Sequence, residues 1–142
     1  MGLDMSVYKV LDSDVIESFG AYADGKMYTT VLNALDLTGE NTFFELFYWR
    51  KHNALHGLFA DYAFNNFGID TEDFNVCYMR IDSELLNEIE KQVLNDELVP
   101  RSGFFWGNAD MVNVYREDDL EFVRKAREAI EQGYALYYHP WW

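Results

Sequence analysis

The stretch FFELFYWRKHNALHGLFADY, residues 43–62, carries the strongest pattern in the chain and predicts one long helix. Thr42 followed by Glu45 has the spacing of a capping box, which satisfies the first amide groups of a helix. On a helical wheel, one side of this stretch is apolar and suits a protein core. The apolar side consists of Phe43, Phe44, Phe47, Ala54, Leu55, Leu58 and Tyr62. We therefore predict a helix from about residue 43 to residue 62, ending before the segment NNFG.

The opposite side of the predicted helix holds a second stripe of polar and aromatic residues. This stripe consists of Glu45, Trp49, Asn53 and His56. A tryptophan that faces away from the core indicates that another element, a subunit or a ligand covers the stripe. On the rim of the apolar side, Arg50 offers a planar fork that suits carboxylate or phosphate. Either a structural ion pair or an anionic ligand would satisfy Arg50 and its neighbour Lys51.

Shorter patterns on both sides of this stretch predict further strands and helices. Residues 3–10 alternate in polarity and are rich in strand formers, as are residues 74–81 and the C-terminal YALYYHP. Asp82 or Ser83 is expected to cap a helix that ends near residue 94, with five inward residues. These are Leu85, Leu86, Ile89, Val93 and Leu94.

A longer helix is expected at about residues 110–132, with Gly133 at its end. Residues 11–41 are ambiguous and hold a candidate helical turn, a turn at ADGK and a candidate strand at KMYTTVL. Residues 1–142 are thus predicted to form a single α+β domain. Its small antiparallel or mixed sheet would pack against about three helices.

The charge of the chain is strongly unbalanced, and this excludes several classes of function. The sequence has 25 acidic and 11 basic residues, which gives a net charge of -14. Such a field repels nucleic acid, so direct DNA binding is not expected, whereas basic proteins are attracted. The single cysteine, Cys77, permits no disulfide within the chain, which suits a reducing cytosol. No apolar run is long enough for a membrane span, and no secretory signal is expected.

Other motifs are weaker and name no reaction. His52 and His56 have the i, i+4 spacing of some zinc ligands, but the sequence has no HExxH motif, so neither a metal nor a cofactor is expected. Ser102 and Gly103 belong to the segment RSGFFWG, residues 101–107, which is predicted to form a turn. This turn would either pack aromatic rings into the core or present backbone amide groups to an anion.

Three motifs together resemble a family of small phage and prophage proteins. They are MGLDM at residues 1–5, E-x-x-YWRK-x-N-x-x-H at residues 45–56 and SGFF-x-G at residues 102–107. The resemblance implies expression in the cytoplasm of a bacterial host and an accessory role, which in small phage proteins is often directed against host defence. It implies no established chemistry.

Three functional hypotheses follow from these residues. The first is a non-catalytic binder with a pocket for a small anionic or nucleotide-like ligand. Its expected site is formed by Asp4, Glu45, Tyr48, Trp49, Arg50, Asn53, His56, Ser102 and Gly103. The second is an acidic inhibitor that blocks a host CRISPR or restriction complex through residues 82–97 and 117–121. The third is a small hydrolase that uses His56 with Glu45 or Asp4 as general acid and base. Self-association into a homo-oligomer is compatible with each hypothesis.

Overall fold

A computed structural model describes residues 2–11, 43–101 and 114–142 of the chain. These residues form four strands and three helices. In chain order they are β1 (Asp4–Leu11), β2 (Phe43–Arg50), α1 (Asn53–Phe67), β3 (Met79–Ile81), α2 (Ser83–Leu94), α3 (Arg116–Glu131) and β4 (Tyr134–Trp141). The strands form one sheet in the order β2-β1-β4-β3, and every neighbouring pair is antiparallel. The predicted α+β fold with a small antiparallel sheet and three helices is confirmed.

The helix predicted over residues 43–62 is wrong in its first half. Residues 43–50 form strand β2, which pairs with β1, and helix α1 starts only at Asn53. Lys51 makes the transition with a positive φ of 57°, and its amide donates to the carbonyl of Leu3 at 2.8 Å. A continuous run of aromatic and apolar residues fits a buried strand and a helix equally well, so periodicity alone could not separate them. Pairing with β1 decides in favour of the strand.

This correction removes the predicted stripe on the far side of the helix. Glu45 and Trp49 lie on β2, whereas Asn53 and His56 lie on α1. Glu45 does not close a capping box, because its carboxylate accepts a hydrogen bond from the hydroxyl of Ser6 at 2.8 Å. The four residues therefore do not share one face of one helix.

The three described helices cover one face of the sheet, which we call the inner face. Met5 and Val7 of β1, Trp49 of β2 and Tyr138 of β4 point into this core and are buried. They pack against apolar side chains from each helix, namely Leu55 and Phe59 of α1, Leu85, Leu86 and Ile89 of α2, and Phe122, Val123 and Ala126 of α3. We call the opposite side the outer face. It carries Asp4, Ser6 and Tyr8 of β1, as the alternation of β1 predicts.

The remaining predicted elements agree with the structure except at their ends. Asp82 caps α2 by accepting a hydrogen bond from the amide of Leu85 at 2.8 Å, as expected. Leu94 was expected to face inward but is 51% exposed. Strand β3 covers only residues 79–81, because turns occupy most of residues 71–76.

Several predictions fall on residues that the structure leaves undescribed. The expected elements between residues 12 and 41, the capping residue Thr42 and the start of the third helix before residue 114 all lie outside the described residues. Among the described helices, none combines the length and apolarity needed to cross a membrane.

Candidate functional site

On the outer face, three neighbouring strands bring a cation, an acid and an aromatic ring into one row. Asp4 of β1 lies opposite Arg50 of β2 and Trp141 of β4, and directly opposite residues of an antiparallel sheet share a face. Arg50 Nη1 donates to Asp4 Oδ1 at 3.3 Å, and the Tyr48 hydroxyl donates to the same oxygen at 2.5 Å. Together with Lys51, these four residues form a surface that we call the Arg50 patch.

The Arg50 patch is open to solvent. Tyr48 is 48% exposed, Trp141 is 64% exposed, and the side chain of Arg50 is half exposed. The hydrogen bond to Asp4 is the main cause that raises the pKa of Tyr48 above its ordinary value. An exposed ion pair such as Arg50–Asp4 contributes little to stability. The patch therefore exposes large aromatic rings beside charges without a clear benefit to folding.

Gly2 allows the two cations of the patch to lie side by side. Its φ is 152°, and a Cβ atom at this position would lie 2.7 Å from Lys51 Cε and 3.2 Å from Arg50 Nη2. Within the described residues, Lys51 forms no ion pair, whereas Arg50 faces the single carboxylate of Asp4. Two positive charges thus meet at one corner of a strongly acidic protein.

Trp49 points away from this patch into a buried polar network. Its indole nitrogen donates to Asp119 Oδ1 at 3.0 Å, and His52 Nε2 lies 2.7 Å from Asp119 Oδ2. The imidazole of His52 stacks on Tyr115 with a centroid distance of 4.1 Å, and the Tyr115 hydroxyl donates to the carbonyl of Arg50 at 2.8 Å. Burial raises the pKa of Asp119, while the hydrogen bond from His52 opposes that shift. This network fixes β2 to the start of α3.

His56 is also buried, beneath the sheet. Its Nδ1 atom lies 2.7 Å from the hydroxyl of Tyr138, and its ring packs against Phe74 and Trp142. Burial, helped by the positive charge of Arg101, lowers the pKa of His56 to about 3. His56 is therefore a neutral core residue at physiological pH.

Asn53 anchors a segment of chain that crosses helix α1. Its Oδ1 atom accepts a hydrogen bond from the backbone amide of Arg101 at 2.9 Å, and the Arg101 guanidinium forms a two-pronged ion pair with Asp61. Gly57 lies between these two anchors, one helical turn from each. A Cβ atom at Gly57 would lie 2.5 Å from Arg101 Nε. The glycine thus leaves room for the arginine to lie across the helix.

This geometry predicts an unusual response to Gly57→Ala. The change normally stabilises a helix by about 0.5–1 kcal/mol, but here the new methyl group should push Arg101 away from Asp61. We expect no such gain in the native chain and the normal gain in an Arg101→Ala background. The two effects, measured by urea unfolding, should differ by about 0.5–1 kcal/mol. Equal effects in both backgrounds would show that Arg101 does not cross Gly57.

The structure divides the predicted site residues into two groups. Asp4, Tyr48 and Arg50 meet on the outer face, and Glu45 binds Ser6 there. Trp49, Asn53 and His56 are buried. Ser102 and Gly103 lie outside the described residues. The expected single pocket lined by all of these side chains is not what the described residues form.

Gly2, Trp141 and Asp119 were missing from the predicted site. The C-terminal YYHPWW carried a signal for Trp141, because an alternating strand that ends in two tryptophans leaves one ring on each face. Gly2 lies against Arg50 and Lys51 only because the chain turns at Lys51. The predicted continuous helix over residues 43–62 has no turn at that position. The role of Asp119 could not be recognised from the neighbouring sequence, because its partners Trp49 and His52 are more than sixty residues away.

No cluster of three or more histidine, cysteine or acidic side chains that could hold a metal ion occurs within the described ranges. Comparison of the chain with protein-family models, with curated proteins and with solved structures gave no match.

Proposed function

We propose that this protein is a non-catalytic binder of a small anionic, nucleotide-like ligand and that the Arg50 patch is its binding surface. The observation that carries the proposal is the exposed row of Arg50, Asp4 and Trp141, with Tyr48 and Lys51 beside it. Arg50 and Lys51 supply charge for a phosphate or carboxylate, and Asp4 can accept hydrogen bonds from amino or hydroxyl groups. Tyr48 and Trp141 can stack a base.

The size of the patch supports a small ligand over a nucleic-acid strand. Arg50 and Trp141 lie on strands that flank β1, so their backbones are roughly 10 Å apart. With a net charge of -14, the remaining surface would repel a long polyanion. A compact ligand that touches only the patch avoids most of that repulsion.

The contacts of the titratable residues support binding over catalysis. The hydrolase hypothesis needs His56 in one pocket with Glu45 or Asp4. Asp4 lies on the outer face, where it binds Tyr48 and Arg50. Glu45 instead binds Ser6 on the outer face, and His56 contacts Tyr138 in the core. Neither pair places a general acid and a general base around a common reacting atom.

A thermal-shift panel of nucleoside phosphates and cyclic dinucleotides, combined with native mass spectrometry, tests this proposal. A compound that stabilises the native chain should bind at least about tenfold more weakly to Arg50→Gln and Tyr48→Ala. Arg127→Gln is the matched control, because Arg127 pairs with Glu90 between α2 and α3. The proposal fails if no compound binds, or if all three variants bind like the native chain.

The biological setting is part of the same proposal. In the phage context that the sequence motifs imply, a binder without turnover would sequester a nucleotide signal of host defence inside the bacterial cytoplasm. A ligand that co-purifies from infected cells, but not from cells expressing Arg50→Gln, would support this role.

A second candidate is an acidic inhibitor of a host defence complex. Asp96 and Glu97 after α2 lie beside Glu117 and Asp118 at the start of α3, because Arg116 binds Asp96 at 2.8 Å. All four acids are exposed. Elsewhere on these helices, Arg124 and Arg127 form ion pairs with Glu121, Glu128 and Glu90, so the charge of those three carboxylates is partly neutralised. The test is the affinity of the protein for a host nuclease. This candidate is excluded if the affinity is unchanged both at high salt and after charge reversal at Glu117 and Asp118.

A further inference from the structure

A second cationic site lies at the other end of β2, between the sheet and helix α3. A cleft of about 350 Å³ lies there, and its charged lining consists of Lys9 of β1, Glu45 of β2, and Arg124, Lys125 and Glu128 of α3. The pairing of β1 with β2 is irregular between Val7 and Tyr8, close to Lys9 and Glu45 of this cleft. The cleft shares no cation with the Arg50 patch.

The two lysines of the cleft contact aromatic rings. Lys9 Nζ lies 4.6 Å from the ring centroid of Tyr134, and Lys125 Nζ lies 5.5 Å from that of Phe47. Neither lysine forms an ion pair with any residue that the structure describes. Both side chains are half-buried. The rings hold these charges in place without neutralising them, and Lys125 also lies near enough to the Glu121 carboxylate to help Arg124 lower the pKa of that group.

The carboxylates around the cleft are already engaged by other donors. Arg124 binds Glu121 at 2.6 Å and Glu128 at 3.3 Å, and Glu45 accepts a hydrogen bond from Ser6. This arrangement is unusual in a chain in which acids outnumber bases by 25 to 11. Because Arg124 is the main partner of Glu121 and neither lysine forms an ion pair with a described residue, the two ammonium groups are left available for an anion that enters the cleft.

We propose that this cleft binds the phosphate group of a small phosphorylated molecule. Ammonium groups are compact point charges that approach a phosphate from any direction, unlike the directional fork of arginine. Two of them in one cleft suit a dianion. Lys9 covers one face of Tyr134, and Phe47 packs against Trp49 and Phe122 as well as Lys125. Both rings are less exposed than Tyr48 and Trp141, so they are less suited to stacking a base. The cleft thus recognises the phosphate itself, which distinguishes it from the Arg50 patch.

Calorimetric titration of the full chain with inorganic phosphate and pyrophosphate tests this inference. Lys9→Gln and Lys125→Gln should each weaken binding about tenfold, because each removes one charge-assisted contact. Lys125→Arg keeps the charge and should retain most of the affinity. Lys91→Gln, on the exposed side of α2 beside Glu88, is the matched control and should bind like the native chain.

Lysine acylation followed by mass spectrometry gives a second readout that does not require a variant. Pyrophosphate should slow the modification of Lys9 and Lys125 and leave that of Lys91 unchanged. The inference is overturned if neither anion binds the native chain, if both glutamine variants bind normally, or if binding is lost in Arg50→Gln and not in the cleft variants. The last result would assign the anion to the Arg50 patch.

Discussion

Replacing Asp119 by alanine is expected to lower the free energy of unfolding by about 3–5 kcal/mol, the largest effect of any single change considered for this protein. Asp119 is fully buried and accepts hydrogen bonds from the Trp49 indole and from His52. Alanine would leave both partners buried without an acceptor, and each such group costs about 1–3 kcal/mol. Urea unfolding monitored by circular dichroism measures the loss.

The neighbouring residue provides a matched control. Asp118 lies one position earlier in the first turn of α3 but is exposed. Asp118→Ala should therefore change the free energy of unfolding by less than about 1 kcal/mol. If Asp119→Ala is too unstable to purify, Asp119→Asn keeps one acceptor oxygen and should show an intermediate loss. Equal stability of the Asp118→Ala and Asp119→Ala variants would contradict the proposed network.

The same substitution also tests how the core supports the Arg50 patch. Trp49 and Arg50 are consecutive on β2, and the network that holds Trp49 also ties the carbonyl of Arg50 to Tyr115. Loss of the Asp119 carboxylate should therefore displace the Arg50 side chain and weaken ligand binding at the Arg50 patch. The patch is exposed, but its geometry is set by buried contacts on the other face of the same strand.

Most of the helices and strands could be predicted because each has a recognisable pattern within its own sequence. Strand β1 alternates, and α2 has both a capping aspartate and an apolar stripe, so each could be assigned without knowing its neighbours. Strand β2 could not, because FFELFYW is apolar or aromatic except at Glu45 and lacks a regular alternation, so it suits either geometry. Only its pairing with β1, which is separated from it by more than thirty residues of sequence, selects the strand.

The error in β2 also explains why the predicted site residues do not all lie together. In a helix, Glu45 and Trp49 would share a face with Asn53, whereas in a strand Tyr48 and Arg50 share a face with each other. Asp4 and Arg50 were both named from sequence, but their contact is a consequence of strand register. The cleft at Lys9 and Lys125 was not foreseen, because it depends on the packing of α3 against the edge of the sheet.

Lowering the pH from 6.5 to 5 is expected to destabilise the protein by about 2 kcal/mol through His56 alone. The pKa of His56 falls from its ordinary value of 6.5 to about 3 in the folded chain, mainly because the residue is buried. Below pH 6.5 the unfolded chain takes up a proton that the folded chain refuses until about pH 3. Stability therefore decreases as the pH falls through this window and is fully present above pH 6.5.

Comparison with His56→Gln isolates this contribution. His139, whose pKa is also lowered by burial, adds a loss of the same sign in both proteins. The native chain should thus lose about 2 kcal/mol more than His56→Gln between pH 6.5 and 5. If the variant does not fold, the Cε1 proton shift of His56 in the native chain gives the answer directly. A flat shift over this range confirms a neutral buried imidazole, whereas a titration near pH 6.5 would mean that His56 reaches solvent and that the packing of α1 against Tyr138 is looser than described.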